Sequence, residues 1–404
     1  MAPLARETAP APGPLQQLRK GNARREHSAW LNGIFAGICL YLFLCAINIM
    51  GDGLGMLGKS GEWIHRFLAH GDNPFIALMG SVIITAAVQS SSFTTALIVT
   101  LVAAGQLDME AAVYAIMGAN IGTSVTGIIV SLGNIRIKRQ FRKAFTAALM
   151  HDIFNLLTVA LLFPLEWISG LWHKDGWGWL TRSAMWAADS LGIPETANPN
   201  SPIKVIARPM VMLFRWVGEL VMPTPMAAGL AIAIAGLVLL MVSLIFMVKN
   251  LKGALLRRVE GLFRTYFFRN DGTSYVVGVV TTILVQSSSI TTSLIVPLAG
   301  AGVVKMPRVF AFMLGANLGT TITGVIAATA HPAAAAVTVA IFHVTFNLIG
   351  TLIWYPLRRV PMGLAQWYGT LASESKRYAF LFLILVFVVV PLVGVIVTEI
   401  FIER

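Results

Sequence analysis

Three stretches run apolar with scarcely a charge: Trp30 to Gly51, Met226 to Val248 and Tyr378 to Thr398. Each matches the roughly 20 apolar residues a helix needs to cross the hydrocarbon of a bilayer. The short alternating segments of a membrane barrel are missing. Two other apolar stretches are interrupted by polar residues. They are "TAAVQSSSFTTALIVTLVAAG" at 85 to 105 and "TTILVQSSSITTSLIVPLAGAG" at 281 to 302. The arms around the first interruption, Phe75 to Val88 and Ser92 to Ala104, are each about 14 residues, too short to cross comfortably. Irregular backbone at membrane depth is tolerated only where protein buries it or where it lines a cavity. The pattern therefore predicts a re-entrant hairpin with a polar tip, twice.

The two tips belong to a repeat. Gln89 and Gln286 are 197 residues apart, and so are Gly118-Ala119-Asn120-Ile121-Gly122-Thr123 and Gly315-Ala316-Asn317-Leu318-Gly319-Thr320. His151-Asp152-Ile153-Phe154-Asn155 aligns with His343-Val344-Thr345-Phe346-Asn347 at an offset of 192. Each half reads as one long span, a QSSS hairpin, a GAN span and a His/Asn span. A hairpin adds no net crossing, so each half crosses an odd number of times and the second is inverted. The predicted fold is an all-α polytopic membrane protein of two inverted structural repeats, each with a re-entrant QSSS hairpin and a broken GANxGT helix. Its parts are a disordered basic cytoplasmic tail (1–28), the first repeat (29–168), a Trp-rich extracytoplasmic connector (169–225), the second repeat (226–358), and a basic loop with an extra C-terminal transmembrane helix (359–404).

Composition agrees. Of the 404 residues 56% are hydrophobic and 12% charged, and the mean hydropathy is +0.76, outside the range of a soluble globule. The net charge of +12 does not point to nucleic acid, because the basic residues gather at span ends: Arg19 to Arg25, Arg136 to Lys143 and Lys249 to Arg264. Such clustering is the positive-inside signature and places the N-terminus in the cytoplasm. Cys39 and Cys45 lie six positions apart on one span and cannot bridge each other.

Inverted repeats whose broken helices meet at the midplane are the layout of secondary transporters. At each tip a serine can cap the following arm, whose N–H groups and positive dipole end then face a cavity. The candidate anion ligands are Ser90, Ser91, Ser92, Ser287, Ser288 and Ser289. The GAN glycines are expected to loosen the next helix and free carbonyls. With side-chain oxygens these suit a hard cation such as sodium. The candidate cation ligands are Gln89, Thr94, Thr95, Asn120, Thr123, Gln286, Thr291, Thr292, Asn317 and Thr320. His151 and His343 read as helix–helix hydrogen bonders. Asp152, a carboxylate inside a span with Val344 at the equivalent place, is either an ion site or one member of a structural pair. Gly53 to Ser60 fits the phosphate-loop pattern, but that motif needs a preceding strand. Neither half offers an activated nucleophile with its base, so an enzyme is not expected, and no cofactor is.

"YLFLCAINI" at 41, QSSS at 89 and 286, "MGANIGTSVTG" at 117, "FRKAF" at 141, "HDIFN" at 151, "LGANLGTTITG" at 314 and "FN" at 346 resemble the type II sodium-dependent phosphate cotransporters, over about residues 30 to 400. The resemblance implies inorganic phosphate moved inward with sodium, with Gln89 to Ser92 and Gln286 to Ser289 contributing to the two sites. Departures from the family carry expectations of their own. The lack of the large disulfide-bearing loop of vertebrate members points to a compact bacterial-type member in the inner membrane. Ile137, between Arg136 and Lys138 where electrogenic members of the resembled family carry an aspartate, favours electroneutral transport unless Asp152 supplies the cation site. The rivals are transport of another small oxyanion or a carboxylate, and an anion channel. No Arg or Lys lies in either hairpin, which disfavours a carboxylate needing a bidentate clamp.

Overall fold

The computed structural model describes residues 14–58, 73–192, 201–267, 269–330 and 333–402, and among them there is no strand. The first half comprises α1 (Pro14–Gly58), α2 (Pro74–Val88), α3 (Ser91–Ala103), α4 (Met109–Thr123), α5 (Val125–Ser131) and α6 (Lys138–Leu171). Then come α7 (Trp179–Ser190) and α8 (Pro202–Val221). The second half comprises α9 (Pro225–Leu262), α10 (Asp271–Val285), α11 (Ser288–Gly300), α12 (Met306–Ala330) and α13 (Ala334–Trp354). After α14 (Arg359–Glu374), α15 (Arg377–Ile384) and α16 (Val390–Ile402) are joined through a π-helical turn at Leu385–Val389.

Among the described residues, 7 helices are long and apolar enough to cross a membrane: Trp30–Leu57, Met109–Asn134, Lys138–Leu171, Pro225–Leu255, Met306–Ala330, Ala334–Trp354 and Arg377–Ile400. Three fall in each half and the last closes the chain. The four arms of the QSSS segments, α2, α3, α10 and α11, have 15, 13, 15 and 13 residues, short of the roughly 20 a crossing needs.

Some expectations shift. The sequence predicts a disordered tail over 1–28, yet α1 already begins at Pro14. Proline suits the first helical position, and Leu15 to Glu26 is rich in good helix formers. Residues 1–13 lie outside the described residues. The basic segments at 134–143 and 249–269 are largely helix ends, since α6 starts at Lys138 and α9 runs to Leu262. Of the phosphate-loop pattern, Gly53 to Gly58 form the end of α1. Lys59 and Ser60 lie outside the described residues.

The first helices of the two halves pack tightly and antiparallel. Gly236 lies against Met50 and Gly253 against Asn32, while Gly53 faces Gly229 and Ala233. A Cβ on Gly236 would come within 2.6 Å of Met50 N, so only small residues allow this approach. Small interfacial residues of this kind are the usual means of close helix contact in membranes.

The GAN glycines act in the same way, which corrects the expectation that they unwind both helices. Gly118 abuts the Leu78 carbonyl and Gly315 the Tyr275 carbonyl. A Cβ on Gly122 would lie 2.8 Å from Val82 O, and one on Gly319 2.7 Å from Val279 O. They are the seats on which α2 packs parallel to α4 and α10 parallel to α12. The helix through Asn317 runs unbroken from Met306 to Ala330. In the first half the helix gives way only at Ser124, between α4 and α5.

Candidate functional site

Each QSSS segment folds alike. Among the described residues the two non-glycine positions with positive φ are Gln89 and Gln286, both at 56°. A left-handed residue with a side chain is strained by about 1–2 kcal/mol, and such strain collects at functional sites. Each glutamine ends its helix, donating its N–H to Thr85 O or Thr282 O at 2.7 Å. The next serine starts the returning helix: Ser90 Oγ accepts from Phe93 N at 3.2 Å and Ser287 Oγ from Ile290 N at 3.3 Å. Here the sequence reading of a capped polar tip holds in detail.

The tips touch reciprocally. Ser92 Oγ donates to Gln286 O, and Ser289 Oγ donates to Gln89 O, each at 3.3 Å. Two segments 197 residues apart in sequence thus meet through the same atoms in exchanged roles, as around a local two-fold axis. The N-terminal turns of α3 and α11, with N–H groups that have no intrahelical acceptor, come together there. Ser90 and Ser287 use their hydroxyls as caps, and Ser92 and Ser289 use theirs across the tips. Ser91 and Ser288 are buried, and among the described residues the structure gives their hydroxyls no hydrogen bond. Of the predicted anion ligands, these two hydroxyls are the free ones.

The surroundings of the tips are not equal. Thr323 Oγ1 lies 3.3 Å from both Ser92 Oγ and Gln286 Oε1, and Gln286 is buried. Its counterpart Thr126 has a buried hydroxyl without a partner. Gln89 is exposed and, with Ser90, Thr126, Ser287 and Ser289, lines a cavity of about 580 Å³. The two tips share this cavity but differ at their glutamines, Gln89 facing it and Gln286 buried. Thr126 and Thr323 were missed as site residues, although the offset of 197 links them too.

The predicted cation ligands divide into two groups. Thr94 bonds Thr85 and Ser90 O, Thr291 bonds Ser287 O and Thr292 bonds Ser288 O, all within the hairpins. Thr95 Oγ1 is buried without a partner. Thr123 and Thr320 donate back to Ala119 O and Ala316 O, four residues earlier, so they brace their helices. Asn120 and Asn317 enter an asparagine layer between the halves. Asn155 Nδ2 donates to Asn120 O at 2.8 Å, Asn317 Nδ2 to Asn155 Oδ1 at 2.7 Å and Asn347 Nδ2 to Asn120 Oδ1 at 3.3 Å. His151 Nε2 meets Asn317 Oδ1 at 2.5 Å, as expected of a helix–helix hydrogen bonder. His343 does not follow it, for neither ring nitrogen has a partner. Asp152 is 1% exposed, with both carboxylate oxygens unpartnered. Ile137 is 53% exposed at the start of α6, away from the tips.

Neutral hydroxyls and helix N-termini facing each other suit an oxyanion, and the amide and hydroxyl oxygens around them suit sodium. The family model described as Na+/Pi-cotransporter matches residues 42–165 and 239–371. The chain is similar to the sodium-dependent phosphate transport protein 2A of Ovis aries, 30% identical over 96% of this chain and 70% of that one. It is 32% identical to the 2A protein of Rattus norvegicus, over 87% of this chain and 65% of that one. The 2B protein of Homo sapiens is 28% identical, over 87% and 63%. The chain thus spans about two thirds of the length of the curated relatives it matches. No solved structure matches it.

Proposed function

Because the chain belongs to the Na+/Pi-cotransporter family, we propose that it couples inward sodium flow to the uptake of inorganic phosphate by alternating access. The observation that carries this reading is the reciprocal contact of the two QSSS tips. Phosphate binds between them, to the Ser91 and Ser288 hydroxyls and the N–H groups that begin α3 and α11. Helix N-termini favour negative charge, and hydroxyl donors satisfy a small tetrahedral anion from several sides. Sodium is held by oxygens beside the tips, among them those of Gln89, Gln286, Thr126 and Thr323. It offsets the anion's charge in a site without a positive side chain of its own. The chemistry is binding and release of ions, and the chain is a transporter, not an enzyme.

The antiparallel run of α1 and α9 supports an inverted repeat. The unequal glutamines, Gln89 facing the cavity and Gln286 buried against Thr323, support alternating access. In the exchanged state Thr126 would close on Gln89 and Ser289, and Thr323 would release Gln286. Each QSSS pair is then a re-entrant hairpin, the basic ends of α6 and α9 lie in the cytoplasm with the N-terminus, and the membrane is a bacterial inner membrane. An anion channel would not need two mirrored tips with unequal glutamines.

Uphill accumulation tests the reading. Proteoliposomes given an inward sodium gradient are expected to concentrate phosphate above its external level, and to lose this when choline replaces sodium. Accumulation that is undiminished in choline contradicts the coupling. A flux that only equilibrates phosphate would indicate a channel.

A further inference from the structure

The cavity beside the tips has a wall made by α9, and two residues of that wall are cations. Lys249 and Lys252 line it together with Met241, Leu244, Ile245 and Val248, opposite Gln89, Ser90, Ser287 and Ser289. Positions three apart share a helix face, and both lysines belong to the side of α9 that meets the cavity. Both lysines are exposed, and among the described residues neither forms an ion pair. Lys249 Nζ lies 5.8 Å from the Phe246 ring centroid, at the rim. Orientation in the membrane does not depend on this pair alone, because the sequence continues with Arg257, Arg258 and Arg264.

We propose that Lys249 and Lys252 form an anion-collecting vestibule that sets phosphate affinity from the face on which this cavity opens. The inference rests on the phosphate transport proposed above and assigns a role to residues outside both hairpins. An anion leaving water for a site of neutral hydroxyls and apolar walls loses hydration before it gains its ligands. Two positive charges at a narrow, low-dielectric mouth raise the local anion concentration over that interval. The attraction is one of net positive charge over distance, so it needs cations at these two positions and no bidentate grip. The same charges line this cavity, so the effect is expected on the face where it opens and not on the other.

The test uses the full chain in proteoliposomes of known orientation, with sodium saturating and phosphate varied on one face at a time. Lys249→Gln/Lys252→Gln is expected to raise the half-saturating phosphate concentration about fivefold on the vestibule face, somewhat below the roughly 10- to 1,000-fold of strongly charged clefts because only two charges are removed, and to leave the other face unchanged. Lys249→Arg/Lys252→Arg is expected to keep the wild-type value on both faces. In the wild type, raising ionic strength from about 0.01 to 0.15 M shortens the Debye length from about 30 to about 8 Å. That change should weaken phosphate binding on the vestibule face more than on the other, a readout that does not depend on any variant folding. An unchanged half-saturation in the glutamine variant, or equal salt dependence on the two faces, overturns the vestibule while leaving phosphate transport in place. Absence of phosphate flux in the wild type overturns the transport reading, and the vestibule with it.

Discussion

Asp152→Asn is expected to abolish the response of phosphate uptake to membrane potential. On α6, Ala148 lies against Gly127 of α5, where an added Cβ would sit 3.6 Å from it. Asn155 donates to Asn120 O of α4 at 2.8 Å. Asp152 stands between these two contacts and so faces the junction of α4 and α5. There the helical ladder changes spacing: Ser124 N bonds Ile121 O at 3.3 Å and Gly127 N bonds Ser124 O at 3.0 Å. A carboxylate within a span costs about 2.5–3.5 kcal/mol on insertion scales, and the Ser124 hydroxyl beside it, with no hydrogen bond of normal geometry to either oxygen, does not offset that cost. A sodium ion held by the carboxylate and by oxygens of the broken helix would. The second half, with Val344 in place of the aspartate, has an unbroken α12.

Electroneutral transport is the expectation unless Asp152 supplies a cation site, and the buried Asp152 carboxylate favours that alternative over the reading from Ile137. Its side chain is exposed at the end of α6, so a carboxylate missing there removes no buried ion site. Two sodium ions with divalent phosphate move no net charge, so a further sodium at Asp152 makes the cycle carry one net positive charge inward. A potential of 100 mV is then worth about 2.3 kcal/mol per charge, or roughly 40-fold in equilibrium accumulation. In potassium-loaded liposomes clamped with valinomycin, the wild type should gain by about that factor when the inside is negative, and Asp152→Asn should not respond. A voltage-dependent Asp152→Asn variant would place the additional charge elsewhere.

Gly315→Ala and Gly118→Ala are expected to cost most of the folded transporter. The added methyl of the first would run into the Tyr275 carbonyl, with Tyr275 C at 2.9 Å and Val279 N at 3.0 Å. That of the second would run into the Leu78 carbonyl, with Leu78 C at 3.0 Å. Backbone cannot rotate aside as a side chain can, so α10 must leave α12, or α2 leave α4, and each carries a tip with it. Overpacking costs about 1–3 kcal/mol even where side chains can adjust. Gly80, on α2 with nothing within 4 Å of an added Cβ, is the control. Its replacement by alanine should gain up to about 1 kcal/mol. Thermal unfolding in detergent together with sodium-driven uptake separates the cases. A Gly315→Ala protein as stable and active as Gly80→Ala would show that the seat is not needed.

The spans, the short arms and the paired tips were legible in the sequence because length and polarity in a bilayer leave few alternatives. The capping roles of Ser90 and Ser287 followed from the same local chemistry. What the sequence concealed was helix rotation. It shows a glycine but not what that glycine faces, so Gly118 and Gly315 read as loosening points instead of contact points. It shows Asp152 without the junction opposite it, and Lys249 and Lys252 as topology markers without the cavity between α9 and the tips. Thr126 and Thr323 were hidden for another reason: threonines facing neighbouring helices are common in membranes, and only the contacts of Thr323 to Ser92 and Gln286 and the place of Thr126 on the cavity wall single these out.

The central claim is that the two tips form one phosphate site, and a double-mutant cycle on Ser91 and Ser288 tests it most directly. Their hydroxyls lie on the buried first turns of α3 and α11 and are free of other hydrogen bonds. Loss of either should therefore weaken phosphate binding by about 1–3 kcal/mol, as when one partner of a buried hydrogen bond is removed. If both hold the same anion, the losses are coupled, and the double variant should depart from their sum by more than about 0.5 kcal/mol. The measurement is equilibrium binding of labelled phosphate at saturating sodium to the wild type, Ser91→Ala, Ser288→Ala and the double variant. Single losses of that size with clear coupling are the predicted result. Additive losses, or undiminished binding in either single variant, would mean that the tips do not share one phosphate.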